Sequence, residues 1–119
     1  DRTLIWLAET NAENSANGKS YAEIKDSSTW GNYSNNTAEG AGTQQATGYS
    51  ESWKANNIYD LAGNVADWTL EAGYTNSRVR RGGDHTPSSS NIPASGRILN
   101  VPSSSTSIEG TRSALYVAL

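Results

Sequence analysis

The sequence predicts an α+β domain, a small twisted antiparallel sheet with one or two helices and extensive loops. Four short segments have the composition of strands, and clusters of Gly, Pro, Ser and Asn separate them. A short apolar stretch near the start of the chain has the character of a helix. The 119 residues show no internal repeat, so we predict a single domain over residues 1–119.

The helices are predicted in the first quarter of the chain. A helix from Thr3 to Asn11 would be capped by Asp1, and residues 4–7 would form its apolar face. Another helical turn is predicted from Tyr21 to Lys25. The stretch that follows, Asn32 to Ser52, is rich in Asn, Thr, Gly, Ala and Gln, which is typical of a long irregular surface loop.

The strands are predicted in the second half of the chain, at Ala66–Leu70, Ser77–Arg81, Gly96–Leu99 and Arg112–Leu119. The last of these has the clearest alternation of side chains. Both of its faces are fairly apolar, so we expect it to be a central strand.

Composition excludes several classes of function. The net charge of −3 and the absence of a Lys/Arg block argue against a nucleic-acid partner, and no apolar run approaches the ~20 residues of a membrane span. The chain has no cysteine, which excludes disulfides, thiolate metal sites and cysteine catalysis. His85 is the sole histidine and no Gly-x-Ser-x-Gly turn is present, so neither a histidine metal cluster nor a serine hydrolase is expected.

Three motifs carry the most specific information. Ile58–Thr69 reads Ile-Tyr-Asp-Leu-Ala-Gly-Asn-Val-Ala-Asp-Trp-Thr, Arg78–Gly83 reads Arg-Val-Arg-Arg-Gly-Gly, and Gly110–Tyr116 begins Gly-Thr-Arg. In this order they resemble the formylglycine-generating-enzyme branch of the C-type lectin fold, from about Trp30 to the end of the chain. More narrowly, the chain resembles the variable proteins of diversity-generating retroelements. The resemblance implies a C-type lectin-like fold with hypervariable residues near the C-terminus.

The chain departs in two ways from the enzymes of that branch and in a third way from lectins that bind sugar through calcium. Those enzymes need cysteine to bind copper and oxidise a substrate thiol, so the missing cysteines exclude their activity. Asp67 stands where the family usually has Glu. The Glu-Pro-Asn, Gln-Pro-Asp and Trp-Asn-Asp triplets of calcium-dependent sugar binding are absent. We therefore predict that the domain is not an enzyme.

By the same resemblance, the ligand-binding surface is expected between Asp84 and Ser107, a Ser-rich segment almost without charge. Every residue type in it can arise when asparagine codons are mutated at their adenines, which is how such retroelements vary a sequence. Pro93-Ala94-Ser95 and Arg97 match the framework of those proteins instead. The positions expected to vary and to face a ligand are Asp84, His85, Thr86, Pro87, Ser90, Asn91, Ile92, Gly96, Ile98, Leu99, Asn100, Val101, Ser104, Thr106 and Ser107.

A structural calcium ion is the one cofactor that the resemblance implies. Asn64, Val65 and Asp67 could ligate it through side-chain and main-chain oxygens. A Gly-Asn pair and an Asp before a strand are, however, more often plain turn chemistry. No other cofactor is expected.

Aromatic and arginine side chains also have two interpretations. In a chain with four Trp and no Phe, tryptophans are more often core than sugar-stacking platforms, although Trp53 and Tyr74 could lie at the rim of the ligand surface. The arginines could grip an anion, or they could pair with carboxylates and hold the sheet to its loops. The residues concerned are Arg78, Arg80, Arg81, Arg97 and Arg112, with Asp60, Asp67, Glu71 and Glu109 as partners.

Together these observations predict a non-catalytic display domain with a hypervariable binding surface, the C-terminal part of a longer protein. It would bind a protein or glycan ligand for adhesion or receptor recognition, extracellularly, on a bacterial cell surface or a phage particle. The alternative is a degenerate sulfatase-modifying-factor-like domain with a purely structural or assembly role. A third hypothesis is an enzyme with non-cysteine chemistry, which would require a deep pocket with converging polar groups.

Overall fold

A computed structural model describes residues 21–55 and 58–113. Within these ranges lie one α-helix, two short 3₁₀ turns and six strands, joined by long loops. The helix α1 spans Tyr21–Lys25, and the 3₁₀ turns span Glu51–Trp53 and Pro87–Ser89. The strands are β1 (Lys54–Ala55), β2 (Ile58–Tyr59), β3 (Ala66–Ala72), β4 (Arg78–Arg81), β5 (Ile98–Asn100) and β6 (Glu109–Thr111).

Four strands form the main sheet, in the order β5-β4-β3-β6. β4 pairs antiparallel with both β3 and β5, whereas β6 runs parallel to β3. The sheet is therefore mixed, and the expectation of a purely antiparallel sheet is wrong for this one pair. The reason is the connection from β5 to β6, which crosses two strands instead of turning back as a hairpin. β1 and β2 form a separate antiparallel pair.

Three of the four predicted strands are present, with shifted ends, as β3, β4 and β5. The fourth, Arg112–Leu119, falls mostly outside the described residues, and Arg112 itself is not in a strand. Its guanidinium group donates to the Asp67 carboxylate and to the carbonyl oxygens of Tyr59 and Asp60. The strand in this part of the chain is β6, whose Glu-Gly-Thr sequence has no polar and apolar alternation.

The helical prediction at Tyr21–Lys25 is confirmed by α1. The helix predicted from Thr3 to Asn11 lies outside the described residues. From Asn32 to Ser50 the chain forms irregular turns and bends, as predicted, with a bridge from Asn32 to Gly63, and Glu51 and Ser52 begin the first 3₁₀ turn. Asn32 and Tyr33 are buried, so the start of this stretch is not a surface loop.

The core cluster is built largely from helix and loop residues. It contains Ile24, Trp30, Tyr33, Ala55, Ala62 and Ala94, with Leu61 packed against it. The indole nitrogen of Trp30 donates to the carbonyl oxygen of Glu23 at 2.9 Å, which ties α1 to the following loop. Burying a large apolar side chain contributes about 1.5–3 kcal/mol, so two aromatic rings compensate for the missing Phe. The structural interpretation of Trp30 is confirmed.

The Gly63-Asn64 corner fixes the loop of residues 32–45 to the start of the sheet. Both residues have left-handed backbone angles, φ 71° and 62°. A Cβ atom at Gly63 would lie 2.2 Å from the carbonyl oxygen of Asn32, so only glycine fits there. The amide of Asn64 donates to that same oxygen at 2.9 Å. The predicted tight turn therefore also brings the loop into contact with the sheet.

Gly82 and Gly83 follow β4 and turn the chain into residues 84–107, the predicted ligand-binding segment. The Tyr33 hydroxyl donates to the carbonyl oxygen of Gly82 at 2.7 Å, and its burial raises the pKa of Tyr33. Gly83 has φ 68°, and a Cβ atom there would lie 2.5 Å from the carbonyl oxygen of Ile92. The buried tyrosine thus holds the point at which the framework passes into residues 84–107.

The predicted arginine pairing is confirmed for four of the five arginines. Each bonds a carboxylate on a neighbouring element, and Glu71 serves two of them, which lowers the pKa of Glu71. Arg80 also lies over the Trp68 ring at 5.7 Å. The ion pairs are Arg80 with Glu109 at 2.7 Å, Arg81 with Glu71 at 2.7 Å, Arg97 with Glu71 at 2.6 Å and Arg112 with Asp67 at 3.1 Å.

Candidate ligand-binding surface

His85 is fixed where the candidate surface begins. Its backbone N–H and its ring Nδ1 both bond the carbonyl oxygen of Asn64, at 3.1 and 2.7 Å. Because a carbonyl oxygen only accepts, Nδ1 carries the proton in this contact. The half-buried histidine therefore helps to set where the segment leaves the framework.

Asp84 does not belong to the surface, because it is only 2% exposed. Its carboxylate accepts hydrogen bonds from the Thr86 amide at 2.8 Å and from the hydroxyls of Thr86 and Ser89. A buried carboxylate needs such partners to offset its desolvation. The prediction that Asp84 faces a ligand is therefore wrong, and Thr86 uses its hydroxyl on the same internal contact.

The outer part of the loop is formed by the turn Pro87–Ser89 and the residues up to Ile92. Pro87 and Asn91 are exposed, whereas Ser90 and Ile92 are half-buried. The amide of Ile92 donates to the carbonyl oxygen of Ser89 at 2.9 Å and closes the turn. Four of the predicted ligand-facing side chains therefore lie together, outside the core cluster.

Residues 93–97 return the chain to the framework. The amide of Ala94 donates to the Ser27 hydroxyl at 2.6 Å, and the amide of Ser95 donates to the carbonyl oxygen of Ile24 at 3.3 Å. The carbonyl oxygen of Ser95 accepts from Arg81 at 2.6 Å, while Arg97 pairs with Glu71. These contacts agree with the framework role expected for Pro93-Ala94-Ser95 and Arg97.

Gly96 was expected to vary, but its surroundings leave no room for a side chain. A Cβ atom there would lie 2.5 Å from Cγ2 of Ile92 and 2.8 Å from the carbonyl oxygen of Pro93. The second contact is with backbone, which cannot move aside as a flexible side chain can. A variable role for Gly96 therefore conflicts with the packing.

The strand part of the surface carries three apolar residues that do not belong to the core cluster. Ile98 and Leu99 on β5 are half-buried, and Val101 after it is 46% exposed. Further on, Thr106 and Ser107 are exposed. The three exposed positions fit a surface whose side chains are not needed for the core, whereas Leu99 pairs with the buried Val79.

Asn100 and Ser104 instead face a buried charge pair. Asn100 Nδ2 and the Ser104 hydroxyl donate to Oε1 of Glu109, at 3.0 and 3.3 Å, and Asn100 also bonds Ser104. The same oxygen accepts from Arg80 at 2.7 Å. These two predicted variable residues therefore donate hydrogen bonds to a buried carboxylate, since the Glu109 side chain is only 4% exposed.

The β3–β4 hairpin carries two exposed apolar residues, of which only Tyr74 is predicted from the sequence to lie at the rim of the ligand surface. Tyr74 at its tip is 79% exposed, in agreement with a rim position, and Leu70 is fully exposed. Between Trp68 and Ala72 the register with β4 shifts, and Leu70 lies in this irregular stretch. No local pattern indicates such a bulge. Trp53 is only 1% exposed, so its predicted rim position is wrong.

Two grooves border the segment. One, of about 330 Å³, lies between residues 25–28 and residues 90–93. The other, of about 390 Å³, lies between the hairpin tip at residues 75–78 and residues 101–103. Variable and framework residues line both grooves, so the surface that a ligand would meet is wider than the segment alone.

Two of the three calcium ligands suggested by the resemblance, Asn64 and Asp67, already have protein partners. Oδ1 of Asn64 accepts from the Gln45 amide at 2.9 Å and from Asn32 at 3.2 Å. Asp67 pairs with Arg112, and its burial raises the pKa of its carboxyl despite that positive charge. Val65 is half-buried beside them. These side chains do not fit a calcium site, because a cation would have to displace their present partners.

The described residues also lack other familiar chemical groupings. They contain no group of three or more His, Cys, Asp and Glu side chains that could hold a metal ion. Over the same ranges, no helix has the length and apolar character that crossing a membrane requires.

The comparisons with known proteins bear on the fold. No protein-family model and no curated protein matches the sequence. Among solved structures, the chain is similar to variable protein 1 of Treponema denticola, with a TM-score of 0.55 and 21% sequence identity. The match covers 91% of this chain but only 43% of that one, so the chain spans less than half the length of its structural relative. The resemblance to variable proteins is thus confirmed at the level of structure, and the chain has a C-type lectin-like fold.

Proposed function

We propose that the chain is a non-catalytic ligand-binding domain that displays changeable side chains on a fixed scaffold. The observation that carries this proposal is the position of Ile98, Leu99 and Val101, which lie outside the core cluster although they are apolar. These residues and the loop tip at residues 87–92 lie on parts of the chain that glycine turns and ion pairs hold in place. Rigid scaffolds commonly present binding residues in this way.

The structural likeness to a variable protein supports a variable binding surface. It extends over 43% of that protein. We propose that this domain is the C-terminal part of a longer chain. The ligand would be a protein or a glycan on a cell or phage-host surface. We further propose an extracellular location, on a bacterial cell or a phage particle, where several copies would strengthen adhesion through avidity.

One observation favours the structural alternative. Leu70 is fully exposed on β3, and Tyr74 is largely exposed at the tip of the same hairpin. Exposed apolar side chains of this kind are typical of assembly contacts as well as of ligand sites. If the domain is purely structural, residues 84–107 should tolerate substitution no better than the rest of the chain.

The deciding experiment compares two libraries of the same size on a display vector. One randomises outward residues of the segment, namely Ser90, Asn91, Val101, Thr106 and Ser107. The matched library randomises residues of the segment with internal contacts, namely Asp84, Ala94, Gly96, Asn100 and Ser104.

We expect most clones of the first library, and few of the second, to remain protease-resistant. Selection of the first library on purified bacterial surface proteins and glycans should then give binders with different preferences. Equal loss of folding in both libraries would contradict the proposal. Sequences of the locus from sister isolates provide an independent check, since their substitutions should fall at the outward positions.

A further inference from the structure

We infer that the groove between residues 25–28 and residues 90–93 is a subsite for a neutral glycan, with one fixed wall and one variable wall. The inference rests on the proposed function, because the variable wall belongs to the segment 84–107. It assigns a role to framework residues far from that segment in the sequence.

The groove has two walls of different origin. The fixed wall is formed by Lys25, the last residue of α1, by Asp26 and Ser28 after it, and by Asn35. The facing wall contains Ser90, Asn91, Ile92 and Pro93. The volume of about 330 Å³ lies at the lower end of the range for small-molecule sites, roughly 300–1,000 Å³. One or a few sugar rings would suit such a space better than a folded protein surface.

Hydrogen bonds between the walls hold the groove in its present form. Ser27, which is buried, accepts the amide of Ala94 at 2.6 Å, and Ile24 accepts the amide of Ser95. Asn35 reaches the carbonyl oxygen of Ser90 at 3.5 Å. The walls therefore do not have to be ordered when a ligand binds, which lowers the entropic cost of binding.

Asp26 gives the fixed wall a hydrogen-bond acceptor. Its Oδ1 accepts from the Ser28 amide at 3.3 Å and from the Ser28 hydroxyl at 2.7 Å, and these bonds lower the pKa of Asp26. Its Oδ2 accepts no hydrogen bond from the described residues. Asp26 is exposed, so this oxygen is able to accept from a ligand hydroxyl.

The mixture of groups in the groove indicates the class of ligand. Each sugar hydroxyl both donates and accepts, and here it would meet a carboxylate, an ammonium group, amides and hydroxyls within one groove. One lysine and one aspartate balance in charge, which favours a neutral ligand over a phosphate or an acidic sugar. Ile92 and Pro93 offer an apolar strip for the C–H face of a ring.

A protein partner fits this groove less well. Protein interfaces usually depend on aromatic or arginine anchors. The groove lining contains no arginine, and its one aromatic residue, Tyr33, is buried with its hydroxyl on Gly82. Of the large apolar side chains exposed in the described residues, Leu70 and Tyr74 lie on the hairpin, Val101 follows β5, and Tyr49 lies in the loop before the first 3₁₀ turn; none of them lines the groove.

The two walls would have separate roles. Fixed residues would supply a basal affinity for hydroxyls, and changes at Ser90, Asn91 and Ile92 would select among sugars. A domain with this division of roles would recognise glycans as a class while varying which one it prefers.

The test is a titration of the ¹⁵N-labelled domain with methyl glycosides of glucose, galactose, mannose and N-acetylglucosamine, followed by NMR. We expect at least one sugar to shift the amides of Ser27, Ser28, Asn35 and Asn91, with a Kd on the order of 1 mM. The variant Asp26→Asn should raise this Kd about tenfold, because it replaces a charged acceptor with a neutral one. Asn91→Ala should change the order of preference among the sugars.

The matched control is Glu39→Gln, which removes one negative charge from an exposed residue that does not line the groove. It should leave the Kd unchanged. The inference is overturned by the absence of shifts with every sugar, by equal effects of Asp26→Asn and Glu39→Gln, or by shifts confined to residues 73–78 and 98–103.

Failure of this inference and failure of the proposed function are distinguishable. If no sugar binds while the surface library yields protein binders, the glycan subsite is wrong and variable display stands. Glycoprotein glycans and polysaccharides share the same hydroxyl chemistry. Binding of the domain to released glycoprotein glycans and to bacterial polysaccharide fragments, each immobilised, would identify the source.

Discussion

The two halves of the candidate surface are built differently. The loop half, residues 85–92, begins with side chains that bond inward and ends with an exposed tip at Asn91. In the strand half, residues 98–107, Asn100 and Ser104 bond a buried carboxylate, while Val101 between them is exposed. In the loop half the inward-bonding residues are grouped at the start, whereas in the strand half exposed residues separate them.

This difference shows what limits variability at a given position. Thr86 and Val101 lie in the same predicted segment, but only Thr86 completes the bonding of a buried carboxylate. A buried polar group left without its partner costs about 1–3 kcal/mol, whereas an exposed side chain has no such role. The contacts of each residue therefore decide whether it can change, and membership of the segment does not.

The largest effect is expected for Asp84→Ala in the approach to the loop half. The change leaves the Thr86 amide and the hydroxyls of Thr86 and Ser89 without their acceptor. The free energy of unfolding should fall by about 3 kcal/mol, as measured by urea denaturation. Asn91→Ala, at the exposed tip, should lower the free energy of unfolding by less than about 0.5 kcal/mol. Similar losses for the two variants would remove the distinction between approach and tip.

The strand half should respond most to Asn100→Asp. This change replaces a donor that lies 3.0 Å from Oε1 of Glu109 with a second carboxylate. Loss of the hydrogen bond and repulsion between like charges should cost about 2 kcal/mol of unfolding free energy. Asn91→Asp makes the same change of charge on the exposed loop and serves as the control. Equal stability of both variants would show that Asn100 is as free to vary as its neighbour Val101.

Glu71 pairs with Arg81, which precedes the loop half, and with Arg97, which precedes the strand half. The loss of stability on replacing Glu71 should therefore depend on pH. The two guanidinium groups lower the pKa of Glu71 from its ordinary value of 4.5. Its stabilising contribution is therefore complete above that value and is lost as the pH falls through the lower folded-state pKa. At neutral pH, Glu71→Gln should reduce the unfolding free energy by about 1 kcal/mol. Denaturation curves of both proteins should converge in acid, and a difference that is constant with pH would contradict the role of the ion pairs.

The smallest effect is expected for Val101→Ser in the strand half. Val101 is 46% exposed and lies outside the core cluster, so the melting temperature should hardly move and the unfolding free energy should change by less than about 0.5 kcal/mol. Differential scanning calorimetry of the variant and the parent protein measures this. A substantial loss of stability would mean that the exposed residue after β5 supports the fold, and the surface could not vary freely there.

The fold was predictable where its causes are local. Gly63-Asn64 requires a left-handed corner, and the strand that contains Val79 ends at two glycines, so the approximate positions of β3 and β4 follow from the sequence. The parallel pairing of β6 with β3 did not follow, because the crossing of the connection depends on the packing of the whole chain.

The candidate surface was predictable as a segment and less so residue by residue. Neither the burial of Asp84 nor the contact of Asn100 with Glu109 leaves a trace in the local sequence, because each depends on a partner brought close by folding. The fixed wall of the glycan groove was missed for the same reason. Asp26 is separated from Asn91 by much of the chain, and only the tertiary structure makes them neighbours.

Asn64 joins three distant stretches of the protein, since its side chain bonds Asn32 and Gln45 and its carbonyl oxygen holds His85. Substitutions at the exposed residues of the segment would leave these bonds of Asn64 unchanged. Variants of this protein would therefore present different side chains, while the position and direction in which the segment leaves the framework stayed the same, and a ligand would meet each variant in the same orientation.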